Sequence, residues 1–130
     1  MPRITLLFAA LHVLLMLVLT WRVVGRRRAL QIGLGSGGDQ VLERAIRAHA
    51  NFTEYVPMAL LMLGLLELSG VAALWLWAFG ALLLVGRVLH AQGLSGKSGY
   101  SVGRFYGAAS TLLVMAGMAV LGLVRWFMSV

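Results

Sequence analysis

Four long apolar stretches alternate with short polar segments along the chain. Each stretch is long enough to cross the hydrocarbon core of a bilayer, which takes about 20 residues of helix. We therefore predict four membrane-spanning helices, at about residues 4–24, 40–68, 71–92 and 102–128. The pattern predicts an all-α integral membrane protein, with residues 1–130 forming a single four-helix bundle.

The first apolar stretch has one feature of a secretory signal peptide, because Arg3 precedes it. The stretch is too long for such a peptide, and no small-residue cleavage site follows it. The three arginines at 26–28 would stop transfer across the membrane. These features favour a retained membrane span.

The connections between the apolar stretches carry typical turn signals. A glycine-rich segment at 33–38 is followed by Asp39, which we predict to be the N-cap of the second helix. No strand precedes these glycines and no Lys-Ser or Lys-Thr pair follows them, which argues against a phosphate-binding loop. Ser69 and Gly70 form a turn short enough to predict an antiparallel hairpin of the second and third helices. A second long loop is predicted at 93–103.

The composition agrees with a membrane protein and excludes several kinds of chemistry. Of the 130 residues, 61% are hydrophobic and 12% are charged, which is too apolar for one small soluble domain. The net charge of +7 raises the possibility of a nucleic-acid partner. The basic residues flank apolar stretches instead of forming a soluble patch, so we predict no such partner. The chain has no cysteine, which excludes disulfides, a thiolate nucleophile and cysteine-based metal sites. Its three histidines lie on separate spans, so no metal site is predicted.

The distribution of positive charge predicts the orientation in the membrane. The first and third connections are surrounded by Arg22, Arg26, Arg27, Arg28, Arg44, Arg47, Arg87, Lys97 and Arg104. The second turn has no positive residue, and Arg3 and Arg125 lie near the termini. By the positive-inside rule, the first and third loops are cytoplasmic and both termini face outside.

The second helix contains polar residues that are costly inside a membrane and therefore indicate a site. At about 100° per residue, Arg47, Asn51 and Glu54 share one narrow face, with Arg44 beside it. His49 projects from nearly the opposite side, toward another helix of the same or a neighbouring subunit. One interpretation is an internal ion pair that fastens the bundle. The other is a cleft for an anionic ligand, because guanidinium groups hold carboxylates in a bidentate fork.

Further polar residues lie elsewhere on the spans. Arg87 and Arg104 are either snorkelling anchors at helix ends or additional parts of the anion site, with His90 beside them. His12 is predicted to be a buried, hydrogen-bonded histidine and not a ligand. Glu67, close to the outer turn, is predicted to be solvated.

A motif on the second helix resembles the MAPEG family, the membrane-associated proteins in eicosanoid and glutathione metabolism. The family pattern is Glu-Arg-x-x-Arg-Ala-x-x-Asn-x-x-Glu followed soon by proline. Residues 43–54 match this pattern, and Tyr55 and Pro57 follow. Arg27-Arg28-Ala29 and the segment 85–90 resemble the ends of the family's first and third helices. The resemblance covers essentially the whole chain. This small, cysteine-free chain with short loops looks most like the bacterial members.

The resemblance implies a homotrimer of four-helix subunits that binds glutathione between neighbours near the cytoplasmic face. By position, Arg47, Asn51, Glu54 and Tyr55 would bind the γ-glutamyl part and backbone of glutathione, and Arg44 would also belong to the glutathione site. Arg27 or Arg28 and His49, from the adjacent subunit, would reach its glycyl end. Arg87 would line the same cleft with His90 beside it. Arg104 matches the arginine that stabilises the glutathione thiolate, and this thiolate is the nucleophile the chain itself lacks.

Three functions are compatible with these residues. The leading hypothesis is a glutathione transferase or peroxidase of the bacterial inner membrane, with glutathione as cosubstrate and a lipophilic electrophile that enters from the lipid. The alternative is a non-catalytic protein that binds an anionic molecule or lipid head group in the same inter-subunit cleft. A small multidrug transporter is disfavoured, because its glutamate would lie in the first span and the cations around Glu54 would repel cationic drugs.

Overall fold

A computed structural model describes residues 1–96 and 102–129 and contains four α-helices. They are α1 (Arg3–Leu30), α2 (Gln40–Leu68), α3 (Ala73–Gly96) and α4 (Val102–Ser129). The side chains of residues 94–96 and 129 lie outside the description. Lys97 in the third connection also lies outside the described residues, so its predicted role in the loop has no structural account here.

Three of the four helices are long and apolar enough to cross a membrane, by length and composition. They are α1, α3 and α4, whereas α2 carries the charged residues of its first half. The sequence predicted four membrane spans. Residues 1–96 and 102–129 form four helices, and three of these meet the criterion for a span.

The first helix is longer than its predicted span and ends in a defined cap. Helix α1 continues past residue 24 to Leu30, so the arginines at 26–28 are helical. Gln31 follows with a φ of 54°, and the N–H groups of Gln31 and Ile32 donate to the carbonyls of Arg28 and Arg27. This left-handed cap satisfies carbonyls that the helix end would otherwise leave unpaired.

The predicted N-cap of α2 is confirmed. Asp39 Oδ1 accepts a 2.7 Å hydrogen bond from the backbone N–H of Leu42. The same carboxylate is held by Arg26 of α1, with Arg26 Nε 3.2 Å from Oδ1 and Nη2 2.8 Å from Oδ2. The Arg26 hydrogen bond, reinforced by the one from Leu42, lowers the pKa of the Asp39 carboxyl. The ion pair therefore ties the end of α1 to the start of α2.

At the opposite end of the bundle, Glu67 was predicted to be solvated, and this prediction is wrong. Its two carboxylate oxygens accept hydrogen bonds from the backbone N–H groups of Ile4 at 2.9 Å and Thr5 at 2.7 Å. The first N–H groups of α1 have no partner within the helix, and a carboxylate there also suits the positive end of the helix dipole. Glu67 at the end of α2 therefore caps α1.

The core of the bundle follows one stripe of α2. Its buried residues recur every three or four positions and are Leu42, Ala45, Ala48, Phe52, Val56, Ala59, Leu63 and Leu66. The last three residues of this stripe form the larger buried cluster together with residues of the other three helices, namely Phe8, Leu76, Leu83, Val114 and Met118. The tryptophans Trp21, Trp75, Trp77 and Trp126 are exposed, as expected for side chains at a membrane interface.

Glycines bring α3 and α4 into close contact, because small residues let the backbones of two membrane helices approach each other. A Cβ at Gly107 would lie 2.5 Å from the Gly86 carbonyl oxygen and 2.7 Å from the His90 nitrogen. A Cβ at Gly86 would lie 2.7 Å from Ser110 Oγ. The short distance between α3 and α4 determines which of their polar groups come within hydrogen-bond distance.

Candidate functional site

The centre of the candidate site is Arg87 of α3, which is only 2% exposed. Its Nη1 donates a 2.7 Å hydrogen bond to Asn51 Oδ1 of α2, and its Nη2 donates to the Gly107 carbonyl of α4 at 3.3 Å. Arg87 thus connects three helices. The interpretation of Arg87 as a snorkelling anchor is wrong, because its guanidinium points into the bundle and not toward water.

A small cavity of about 40 Å³ adjoins these groups. It is lined by Asn51, Tyr55, Arg87, Ala108, Thr111 and Leu112. A cavity volume of about 10–15 Å³ is enough to hold one water molecule, so this cavity has room for a small group. The buried Nε of Arg87 has no hydrogen-bond partner among the described residues. Together these features make an electropositive recess at the level of Asn51.

Thr111 is a polar residue of this region that the sequence interpretation missed. It is 1% exposed, and its hydroxyl donates a 2.9 Å hydrogen bond to the Gly107 carbonyl, the same oxygen that Arg87 contacts. A threonine four residues after a glycine in an apolar helix is a weak signal, because such hydroxyls commonly bond to their own helix.

The predicted stripe on α2 is present, but its members differ in exposure. Arg47 and Glu54 are exposed on the outer surface of the subunit, whereas Asn51 and Tyr55 are half-buried. Neither Arg47 nor Glu54 has an ionic partner among the described residues. The predicted internal ion pair between these two residues is therefore not formed within the subunit. The stripe places a cation and a carboxylate on an outer surface, with the recess beside them.

The other arginines predicted to belong to the site lie near the first loop. They differ in burial and in hydrogen bonding. Arg44 is half-buried, and its Nε donates to the Gln40 carbonyl at 3.1 Å. Arg28 is exposed, whereas Arg27 is half-buried with an Nη1 that has no described partner. The structure of the single subunit does not bring Arg27 or Arg28 to the recess.

His49 faces α1, as its position opposite the stripe predicts. Its Nε2 lies 3.1 Å from Thr20 Oγ1, and the Thr20 hydroxyl donates to the Met16 carbonyl. Since the hydroxyl proton is used there, Thr20 accepts a hydrogen bond from His49, whose Nε2 must carry a proton. His49 therefore contacts a helix of its own subunit.

His90 and Arg104 meet at the α3–α4 contact. His90 Nδ1 lies 3.3 Å from the Arg104 carbonyl oxygen, an arrangement in which the ring nitrogen donates. In neutral imidazole this leaves Nε2 as an acceptor. The contact places the half-buried Arg104 one helical turn from Gly107, whose carbonyl accepts from Arg87.

His12 is a buried, hydrogen-bonded histidine, as predicted. It is 1% exposed, and its Nδ1 is 2.7 Å from the Phe8 carbonyl oxygen. Its Nε2 is buried without a hydrogen-bond partner in the described part of the chain. Its ring lies against Phe52 with a centroid distance of 6.0 Å.

These features define an integral membrane protein with a polar recess built around a buried arginine in a helical bundle. The chain belongs to the MAPEG family, whose family model matches residues 5–124. The resemblance inferred from the motif on α2 is thereby confirmed.

Individual relatives extend this result. The chain is 33% identical over 90 residues to the inner membrane protein YecN of Escherichia coli, covering 69% of each chain. It is 31% identical over 122 residues to the leukotriene C4 synthase of Bos taurus, covering 91% of this chain and 79% of that enzyme. The leukotriene C4 synthase of Rattus norvegicus is 32% identical over 123 residues, with the same coverage.

Proposed function

We propose that this protein binds glutathione in a cleft between subunits and uses its thiolate to attack a lipophilic electrophile. The observation that carries the proposal is the position of Arg87 behind Asn51, next to the exposed Arg47 and Glu54. Membership of the MAPEG family and similarity to leukotriene C4 synthases support the same ligand. The reaction class we propose is that of a glutathione transferase or peroxidase.

The charges on α2 and α3 suit both ends of a zwitterionic ligand. Glutathione carries two carboxylates and one ammonium group. Arg47 and Arg87 are matched to carboxylates, while Glu54 is matched to the ammonium. Asn51 accepts from Arg87 through its oxygen, so its amide N–H groups are left to donate to the ligand. Arg44 and Tyr55 lie at the edges of this surface.

The exposure of Glu54 supports self-association. Glu54 lies five residues beyond His49, about 7.5 Å further along α2 than the contact with Thr20. A carboxylate facing hydrocarbon at this depth is costly, so another subunit and the ligand should cover it. Met58 and Leu61 continue the same exposed side of α2. We propose the homotrimer of the resemblance, in which Arg27 or Arg28 and His49 of a neighbouring subunit complete the cleft.

Arg104 is the residue to which we assign thiol activation. Only the thiolate form of glutathione is a strong nucleophile, and a guanidinium beside the sulfur favours that form. His90 contacts the Arg104 backbone and restrains the start of α4. The electrophile would enter from the lipid, because the exposed surfaces of α1 and α4 are apolar. We place the protein in the bacterial inner membrane, with both termini outside and the first and third loops cytoplasmic.

Titration of the detergent-purified protein with reduced glutathione tests the proposal. We expect saturable binding that Arg47→Ala and Glu54→Gln weaken by at least tenfold, since each removes a charged hydrogen bond of about 1.5–3 kcal/mol. Arg3→Gln is the matched control, because it removes a cation from the opposite end of the bundle and should leave binding unchanged. A folded wild-type protein without saturable glutathione binding would overturn the proposal.

Thiolate formation is tested separately from binding. Bound glutathione should show thiolate ultraviolet absorbance near neutral pH, and Arg104→Ala should abolish it while glutathione still binds. Glutathione binding without thiolate formation or turnover of model electrophiles would favour the non-catalytic alternative. Failure of glutathione to compete with a copurified anionic lipid at the cleft would also favour that alternative.

A further inference from the structure

A second cavity lies at the other end of the bundle, between the last turns of α2 and α4. Its volume is about 800 Å³, within the range of about 300–1,000 Å³ typical of small-molecule sites. It is lined by Met62, Leu65, Leu66, Ser69, Ala119, Gly122, Leu123, Arg125, Trp126 and Met128. We call this cavity the α2–α4 groove. It is about 22 Å along α2 from the Asn51 recess, counting from Asn51 to Leu66.

The body of the groove is suited to a hydrocarbon chain. Leu65, Leu123 and Met128 are 53%, 60% and 76% exposed in the subunit, so their side chains line an open channel and not a closed core. Met62 contacts the position of Gly122, where the two helices come close and form the floor. Methionine side chains adapt to irregular apolar ligands, which suits a flexible acyl chain.

The mouth of the groove holds the cation Arg125, which has no carboxylate partner among the described residues. Arg125 Nη2 donates to the Ser69 backbone carbonyl, and its other N–H groups have no protein acceptor among the described residues. The Ser69 hydroxyl donates to the Leu66 carbonyl at 2.8 Å and so does not compete for Arg125. The neighbouring Glu67 is engaged by the N–H groups of Ile4 and Thr5. Arg125 is thus anchored by one nitrogen and free to bind an anion with the others.

The distribution of carboxylates argues against a second copy of this chain as the occupant. The chain has four acidic side chains, at positions 39, 43, 54 and 67. The first three belong to the loop before α2 or to its first half, and the fourth caps α1. A second copy would therefore cover Arg125 without offering it an unengaged acidic side chain. Burying a cation without a counter-charge is costly.

We propose that the α2–α4 groove binds an anionic phospholipid, with its phosphate on Arg125 and one acyl chain along Leu123 toward Ala119. Guanidinium groups bind phosphate through paired hydrogen bonds, and the apolar walls accept the chain. This site is separate from the proposed glutathione cleft, so either can fail without the other.

Native mass spectrometry of the delipidated full-length protein, with phosphatidylglycerol or phosphatidylcholine added, tests the site. We expect phosphatidylglycerol to bind at least about tenfold more tightly, from charge-assisted hydrogen bonds to Arg125. Arg125→Gln should remove this preference. Ala119→Phe, which fills the groove but keeps the cation, should weaken binding of both lipids. Arg3→Gln is the control at the same end and should keep the preference.

Four results would overturn the proposal. One is equal affinity for the two lipids in the wild-type protein, and another is a preference that survives Arg125→Gln in a protein of native helicity. The third is a change of oligomeric state in Ala119→Phe, because this would show that a second copy fills the groove. Oleate binding as tightly as phosphatidylglycerol would likewise contradict a phospholipid site.

Discussion

Arg87 and Asn51 form a 2.7 Å hydrogen bond between α3 and α2, and this bond determines the orientation of the Asn51 amide. A guanidinium group has only donors, so Asn51 must present its oxygen to Arg87. Its amide N–H groups are then available on the other side. The buried cation thereby makes Asn51 a donor in the proposed ligand cleft.

This relationship predicts that two substitutions at Asn51 differ in stability but both weaken ligand binding. Asn51→Ala leaves the buried Nη1 of Arg87 without its acceptor and should lower the free energy of unfolding by about 1–3 kcal/mol. Asn51→Asp supplies a carboxylate to Arg87 and should have a higher melting temperature than Asn51→Ala. Both should weaken glutathione binding, because both lose the amide donor. Melting in detergent and glutathione titration measure the two effects, and wild-type affinity in Asn51→Asp would contradict the assigned amide role.

The close approach of α3 and α4 predicts that Gly107→Ala is strongly destabilising. The added Cβ would meet backbone atoms of Gly86 and His90, which cannot move as a flexible side chain can. Overpacking of this kind costs about 1–3 kcal/mol or more. Gly64→Ala is the matched control, because its Cβ would meet only Thr5 Cγ2 at an ordinary 3.5 Å. Gly64→Ala should be neutral or stabilising by up to about 1 kcal/mol, from improved helix propensity. Equal melting temperatures of the two variants would contradict this packing.

The capping of α1 by Glu67 predicts that Glu67→Ala destabilises the protein by about 1–2 kcal/mol, the usual effect of losing an N-cap. The exposed Glu43 on the first turn of α2 provides a control, and Glu43→Gln should cost less than about 1 kcal/mol. Thermal unfolding monitored by circular dichroism compares the stabilities of the two variants. Limited proteolysis at the N-terminus should also be faster in Glu67→Ala. Unchanged stability and proteolysis would show that α1 does not depend on this cap.

The ion pair between Arg26 and Asp39 predicts a pH effect on stability at the first loop. The folded state lowers the pKa of the Asp39 carboxyl below its ordinary value of 3.8. Its stabilising contribution is therefore complete above the unfolded pKa and is lost as the pH falls through the lower folded pKa. The wild type should melt at a higher temperature than Asp39→Asn at pH 6, and this difference should shrink below about pH 4. A difference that is constant from pH 6 to pH 2.5 would contradict the pair.

Relationships within one helix could be predicted from the sequence. The spacing of Arg47, Asn51 and Glu54 requires that they share one face, because each residue of an α-helix turns by about 100°. The same periodicity turned His49 toward another helix. Asp39 was located as an N-cap because aspartate is favoured there and follows a glycine-rich segment. The motif at residues 43–54 identified the family, and the family model agrees.

Relationships between helices were decided only by the tertiary structure. The bond from Arg87 to Asn51, the cap that Glu67 gives to α1, and the contact of Arg125 with Ser69 join residues 36, 62–63 and 56 positions apart. Each depends on how far two helices are rotated and how closely they approach. That approach is set by small contacts such as Gly86 against Gly107, which the periodicity of a single helix does not encode. The sequence by itself therefore determined the helices and the face that carries the site. The tertiary structure decided that Arg87 is buried behind this face and that Arg125 stands at the mouth of the α2–α4 groove.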